Sequence, residues 1–173
     1  MAIPGYHGRV LEIDLTTGQI KTEALASEDV LLYLGGRGLA TKLFYDRIDP
    51  TADPLGPDNV IVIASSPLVG SQAPTAARGH MVYKSPLTGY IGTSNSGGTW
   101  GHTFKATGYD ALIIRGRASH PVFIDLSPEK IEITDASHLW GKNVSESTDI
   151  LTVGSTPGNL YRALVIGPAG ENL

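Results

Sequence analysis

RGHMVYKSPLTGYIGTSNSGG, running from Arg78 to Gly98, decides how this chain folds. Apolar and polar residues alternate through His80 to Lys84 and again through Gly89 to Asn95, and Ser85-Pro86-Leu87-Thr88 between them is a four-residue turn with proline second. The pattern predicts a β-hairpin. Pairing Lys84 with Gly89 carries the register back through Val82 with Ile91 and sets Arg78 opposite Asn95. Ser96-Gly97-Gly98 then leads into TWGHTFKATG, predicted as a short helix that begins at about Gly97, is capped by Asn95 or Ser96, and stops at Gly108. The first N–H groups of a helix lack internal partners, glycines let an anion approach them, and Arg78 adds a formal charge. The stretch therefore reads as an anion-gripping edge, against the plainer alternative of a tight helix entrance beside a water-facing arginine.

Outward from this stretch, strands dominate. Leu11, Ile13 and Leu15 share one face of a strand, and Thr16-Thr17-Gly18 turns it into Gln19 to Glu23 as an opening hairpin. Ser27, followed by Glu28 and Asp29, predicts an N-cap, with VLLYL as a short helix ending at Gly35-Gly36 and a second helix from about Leu39 to Arg47. Gly36, Gly38 and Thr41 approach the dinucleotide pattern, but the third position is not glycine and a helix precedes it, so the reading is a helix-to-helix corner. After the turn-rich DPTADPLGPDN, Val60 to Ala64 predicts a strand buried on both faces. Asp110 to Gly116 predicts another, Val122 to Leu126 pairs with Lys130 to Thr134, a helix spans about Val144 to Val153, and Tyr161 to Ile166 forms the last strand. GGRGLATKLFYDRI before NVIVIAS parallels GGTWGHTFKATG before YDALIIRG, as an ancient duplication would leave. Without a linker or composition break, the expectation is one α+β domain over residues 1–173.

Composition narrows the chemistry. At 173 residues and 41% hydrophobic the chain suits a soluble globular core, and 21 glycines with 11 prolines favour many tight turns. A net charge of −4 gives no global basic field for nucleic acid. The absence of cysteine excludes disulfides, thiolate-held zinc and any iron–sulfur cluster ligated by this chain. No apolar run approaches a membrane span, and MAIPGYHGRVLEID lacks a signal-peptide core, so the cytoplasm is the expected compartment. The five histidines show no metal-binding spacing, and neither a hydrolase elbow nor a Walker A loop is present. Glu132, Asp135 and His138 read as turn and packing residues. No catalytic residue and no metal ligand is assigned.

GGRGLATKLFYDRIDP, DPLGPDN, Arg78 ahead of KSPLTG, NSGG, FKATGYDALIIRG, DASHLWGK and IGPAGENL follow one another in this order. Together they resemble the N-terminal domain of the aldehyde ferredoxin oxidoreductase family, the tungsten-pterin enzymes, over nearly the whole chain. The resemblance implies an α+β domain of two related β-sheets with short helices, a base for tungsten or molybdenum carried by two pyranopterin dithiolenes whose phosphates a magnesium ion bridges. Arg78 matches the family's arginine between pterin and cluster, while Asn95 and Gly97 match positions contacting the pterin near its phosphate. Departures fall at Gly79-His80, where a larger aromatic often comes first, and at Thr107, where alanine is usual. Family members oxidise aldehydes to carboxylates and pass electrons through a [4Fe–4S] cluster to ferredoxin, with the cluster cysteines in later, C-terminal domains. The chain accordingly reads as a truncated piece, inactive alone and prone to self-association through the face those domains would cover. The competing reading is a stand-alone phosphate- or nucleotide-binding module without redox activity, which a natural stop after Leu173 would favour.

Overall fold

A computed structural model describes residues 3–156 and 160–172. It is α+β, with eight strands in two sheets joined by short helices. The chain clusters into two units, one up to Ala118 and one from Ser119 onward.

The first unit is a six-stranded sheet built from β1 (Arg9–Asp14), β2 (Gln19–Ala24), β3 (Val60–Ala64), β4 (Gly79–Lys84), β5 (Ile91–Ser96) and β6 (Ala111–Arg115), in the order β2-β1-β6-β3-β4-β5. Only β1 and β6 run parallel. The most apolar segments, VIVIA and ALIIR, take the centre, where both strand edges are paired and the backbone is fully satisfied. Val60, Val62, Val82 and Ile113 form one core with Leu39, Ala40, Leu43 and Phe44 of helix α2 (Gly36–Tyr45). The alternate residues Leu11, Ile13, Ile63 and Leu112 are buried too. Ile61 departs from the expectation of burial on both faces, since more than a third of it is exposed.

Asp110, just ahead of β6, ties the start of the chain to the sheet. Its carboxylate accepts hydrogen bonds from the backbone N–H groups of His7 (3.2 Å) and Gly8 (2.7 Å) and a charge-assisted one from Lys105. With Asp110 1% and Lys105 7% exposed, this ion pair is inside the fold. Such a pair survives burial only because the carboxylate's remaining lone pairs are occupied by backbone donors.

Helix α1 (Ser27–Tyr33) begins one residue beyond its N-cap, Ala26, so Ser27 lies inside the helix and not at its cap. The chain then turns through Leu34 and Gly36, both at positive φ, into α2, the helix-to-helix corner expected of the GGRG segment. Two β-hairpins each lead through helix into a central strand, and the sheet order reads the same when the halves are exchanged. The directions do not repeat, because β1 runs parallel to β6 whereas β4 runs antiparallel to β3.

The second unit contains the hairpin β7 (Val122–Leu126) and β8 (Ile131–Asp135), helix α4 (Val144–Leu151) and the short α5 (Gly167–Glu171). Asn143 closes a full capping box on α4: its Oδ1 accepts from Glu146 N–H at 2.9 Å, and the Glu146 carboxylate accepts from Asn143 N–H at 3.0 Å. The strand expected over Tyr161 to Ile166 does not form. That stretch joins no ladder among the described residues, and Leu164 and Ile166 are exposed, so its alternation has no sheet face to bury against.

Candidate functional site

Arg78 stands immediately before β4, and Asn95 is the penultimate residue of β5. The hairpin register differs from the expected one by two residues, with Lys84 opposite Ile91, Val82 opposite Thr93 and His80 opposite Asn95. The cause is the turn. Gly89 takes φ +70° and donates its N–H to Ser85 O, and Ser85 N–H bonds Tyr90 O at 2.8 Å, which lengthens the loop beyond Ser85 to Thr88. A shift of two keeps every side chain on its face. Arg78 and Asn95 still meet at one sheet end, because Arg78 Nη1 donates directly to Asn95 Oδ1.

This bond fixes what the pair can offer. A guanidinium only donates, so the asparagine oxygen must be its acceptor, and the Asn95 amide NH2 is left to donate elsewhere. Arg78 keeps further N–H donors and is exposed. Beyond Asn95 and Ser96, Gly97 and Gly98 face open space, with no atom within 4 Å of where a Cβ would stand. The edge thus presents a guanidinium, an amide NH2 and unobstructed backbone, a donor set that fits a phosphorylated ligand and holds no acid–base pair.

The helix after these glycines corrects another expectation. It is α3 (Trp100–Ala106), three residues later than expected, and Thr99 rather than Asn95 or Ser96 is its N-cap, without a side-chain cap bond. Residues 97–99 are spent on the turn that Gly98, at φ +66°, permits, so the helix begins only at Trp100. What α3 does is hold the segment that carries Arg78. A Cβ at Gly101 would lie 2.4 Å from Ala77 O, one at Gly79 2.7 Å from the Trp100 ring, and the His102 ring is 3.0 Å from Ala76 O. Glycine at position 79 makes room for Trp100, which stacks on Phe104 with ring centroids 5.4 Å apart.

The sequence reading passed over His80 and Arg37. His80 faces Asn95 across the hairpin and lies so close to Gly36 that a Cβ there would be 2.9 Å from its ring. Burial first, then the charges of Arg37 and Arg78, hold its imidazole below the usual histidine value, so it is neutral at pH 7. The paired glycines before α2 were the available signal, since Gly36 has to leave room for that ring. Among the described residues no group of three histidine, aspartate or glutamate side chains could hold a metal ion, and no helix is long and apolar enough to cross a membrane.

A family model for the N-terminal domain of aldehyde ferredoxin oxidoreductase matches residues 10–173. The chain belongs to that family. Over 171 residues it is 48% identical to a tungsten-containing aldehyde ferredoxin oxidoreductase of Pyrococcus furiosus, a match covering 98% of this chain and 28% of the relative. The same enzyme of Thermococcus kodakarensis is 46% identical over 169 residues, with the same coverage. A WOR-like subunit of an aliphatic sulfonate oxidoreductase of Pyrococcus furiosus is 37% identical over 186 residues. Among solved structures, the active-site complex BamBC of benzoyl coenzyme A reductase with 1,5-dienoyl-CoA superposes with a TM-score of 0.83 at 38% identity, covering 86% of this chain and 23% of that one. The family's oxidoreductases are thus much longer than this chain, which spans about 28% of the tungsten-containing relatives.

Proposed function

We propose that this chain is the cofactor-base domain of a tungsten or molybdenum bis-pyranopterin oxidoreductase that converts aldehydes to carboxylates, with ferredoxin as electron acceptor. The observation carrying this reading is the Arg78–Asn95 hydrogen bond beside the open Gly97–Gly98 backbone. In the bound state the dithiolene-held metal supplies oxygen-transfer and redox chemistry. The chain's own part is binding and orientation. Arg78 would neutralise anionic charge, and by occupying Asn95 Oδ1 it leaves the amide NH2 to donate to a phosphate oxygen, where a magnesium ion would add positive charge. Gly97 lets the ligand approach the backbone, where any side chain would intrude.

The absence of cysteine assigns the ligands of a [4Fe–4S] cluster to polypeptide other than this chain, and with them the electron exit. No acid–base pair stands beside Arg78, so proton transfer to substrate belongs elsewhere too. The chain alone is therefore inactive, and the intact protein works in the cytoplasm. In the intact protein, Arg78→Ala is expected to lower the tungsten or molybdenum retained per polypeptide, measured by elemental mass spectrometry after gel filtration. Unchanged metal content would contradict the reading.

A further inference from the structure

Nearly every cation of the first unit is already taken. Lys21, Lys42, Arg47, Lys105 and Arg115 pair with carboxylates, while Arg9, Lys84 and Arg117 donate to backbone carbonyls. Two remain. Arg78 bonds only the neutral Asn95, and Arg37, exposed at the second position of α2, has neither an ion pair nor a side-chain hydrogen bond among the described residues.

Both are linked to one ring through their neighbours. Gly36, which Arg37 follows, abuts the His80 imidazole; His80 is opposite Asn95 in the β4–β5 ladder; Asn95 is bonded by Arg78. Arg37 also lines a shallow groove with Tyr33, Thr41, Lys42 and Tyr45, where Lys42 is held by Asp29 and Asp46 and Arg37 is the cation still available. Both guanidiniums already act on His80 electrostatically. Two uncompensated positive charges at one corner of a chain with net charge −4 repel each other, and a shared anion removes that cost.

We infer that Arg37 is a second cationic contact of the Arg78–Asn95 site, with His80 as the spacer between them, so that the site takes a ligand bearing two linked anionic groups of the diphosphate class. This rests on the reading of Arg78 and Asn95 as a ligand-binding edge. Arg37 would hold the far anionic group while Arg78 and Asn95 hold the near one.

Calorimetric titration of the full chain with inorganic pyrophosphate and with inorganic phosphate tests it, in the wild type and in Arg37→Gln and Arg78→Gln. Both substitutions are at exposed positions, and unfolding followed by Trp100 fluorescence checks that the fold is kept. The wild type should prefer pyrophosphate by about tenfold, as one added charge-assisted contact allows. Arg37→Gln should abolish that preference and leave phosphate binding in place, whereas Arg78→Gln should weaken both. If Arg37→Gln keeps the preference while Arg78→Gln weakens binding, the inference falls and the Arg78 site stands. A wild type that binds neither probe, or an effect of Arg37→Gln without one of Arg78→Gln, overturns the inference together with the site it rests on.

Discussion

The two units of this chain bury their apolar residues very differently. Up to Ala118, Leu11, Ile13, Leu39, Val62 and Ile113 are sealed within a six-stranded sheet and its helix. From Ser119 onward the buried apolar side chains among the described residues are Ala136 and Leu139, every residue of β7 is only half-buried, and Trp140 and Val153 are 54% and 77% exposed. A two-stranded hairpin is marginal in water without a further strand or a well-packed helix. The first unit has the means to hold a ligand-binding edge rigid; the second is held mainly by local hydrogen bonds such as the α4 capping box. The site lies where the core is.

Each unit carries one tryptophan, Trp100 and Trp140, so a phenylalanine at either leaves the other as a reporter of its own unit. The largest effect is expected from Asp110→Ala. It strands Lys105 without its partner and frees three backbone donors, those of His7, Gly8 and Arg9, which should cost about 3–5 kcal/mol in urea unfolding read on Trp100. Lys105→Met with Asp110→Leu should recover part of the loss, and a cost for the single variant below about 1 kcal/mol would show that the pair is not a closure of the first unit. Next, Leu39→Ala should cost about 3 kcal/mol on Trp100, whereas Ile133→Ala, at a half-buried strand position, should cost about 1 kcal/mol on Trp140. Equal losses would break the comparison.

In the second unit, Asn143→Ala removes the capping box and should cost about 1 kcal/mol, seen as faster amide exchange across residues 144–151 with Trp100 unfolding unchanged. The smallest effects are those of pH. The backbone N–H of Thr17 first, then that of Thr16 and the charge of Arg115, hold the Asp14 carboxyl below the usual range. Its stabilisation is therefore complete above the unfolded carboxyl value, about 3.9, and is lost as pH falls through the lower folded value. Asp135 is lowered chiefly by the Ser137 hydroxyl and follows the same sign. Acid titration should register the loss at Asp14 on Trp100 and at Asp135 only on Trp140; Asp14→Asn should flatten the first curve without changing the second.

Alternation and turn residues made all three hairpins, the central strands and α4 legible in the sequence, because those signals are local. The register of β4 on β5 was not, since it depends on whether Gly89 ends the loop or joins the strand, and only its positive φ decides that. The Arg78–Asn95 contact was legible nonetheless, because a long guanidinium spans a two-residue slip that leaves both side chains on their faces. The false strand at Tyr161 to Ile166 has the opposite origin: alternation states which face would be buried and says nothing about whether a partner strand is there. Arg37 went unread because its neighbourhood is made by three elements far apart in sequence, α2, β4 and β5.

The most direct test of the account is an experimental structure of the intact protein with the proposed pterin cofactor bound, in which the distances from Arg78 and Asn95 to the nearest cofactor oxygen are measured. The account predicts hydrogen-bond separations of about 3 Å from an Arg78 nitrogen and from Asn95 Nδ2, with Gly97 in van der Waals contact. A cofactor bound with no atom within about 6 Å of either residue, well outside hydrogen-bond reach, would contradict it.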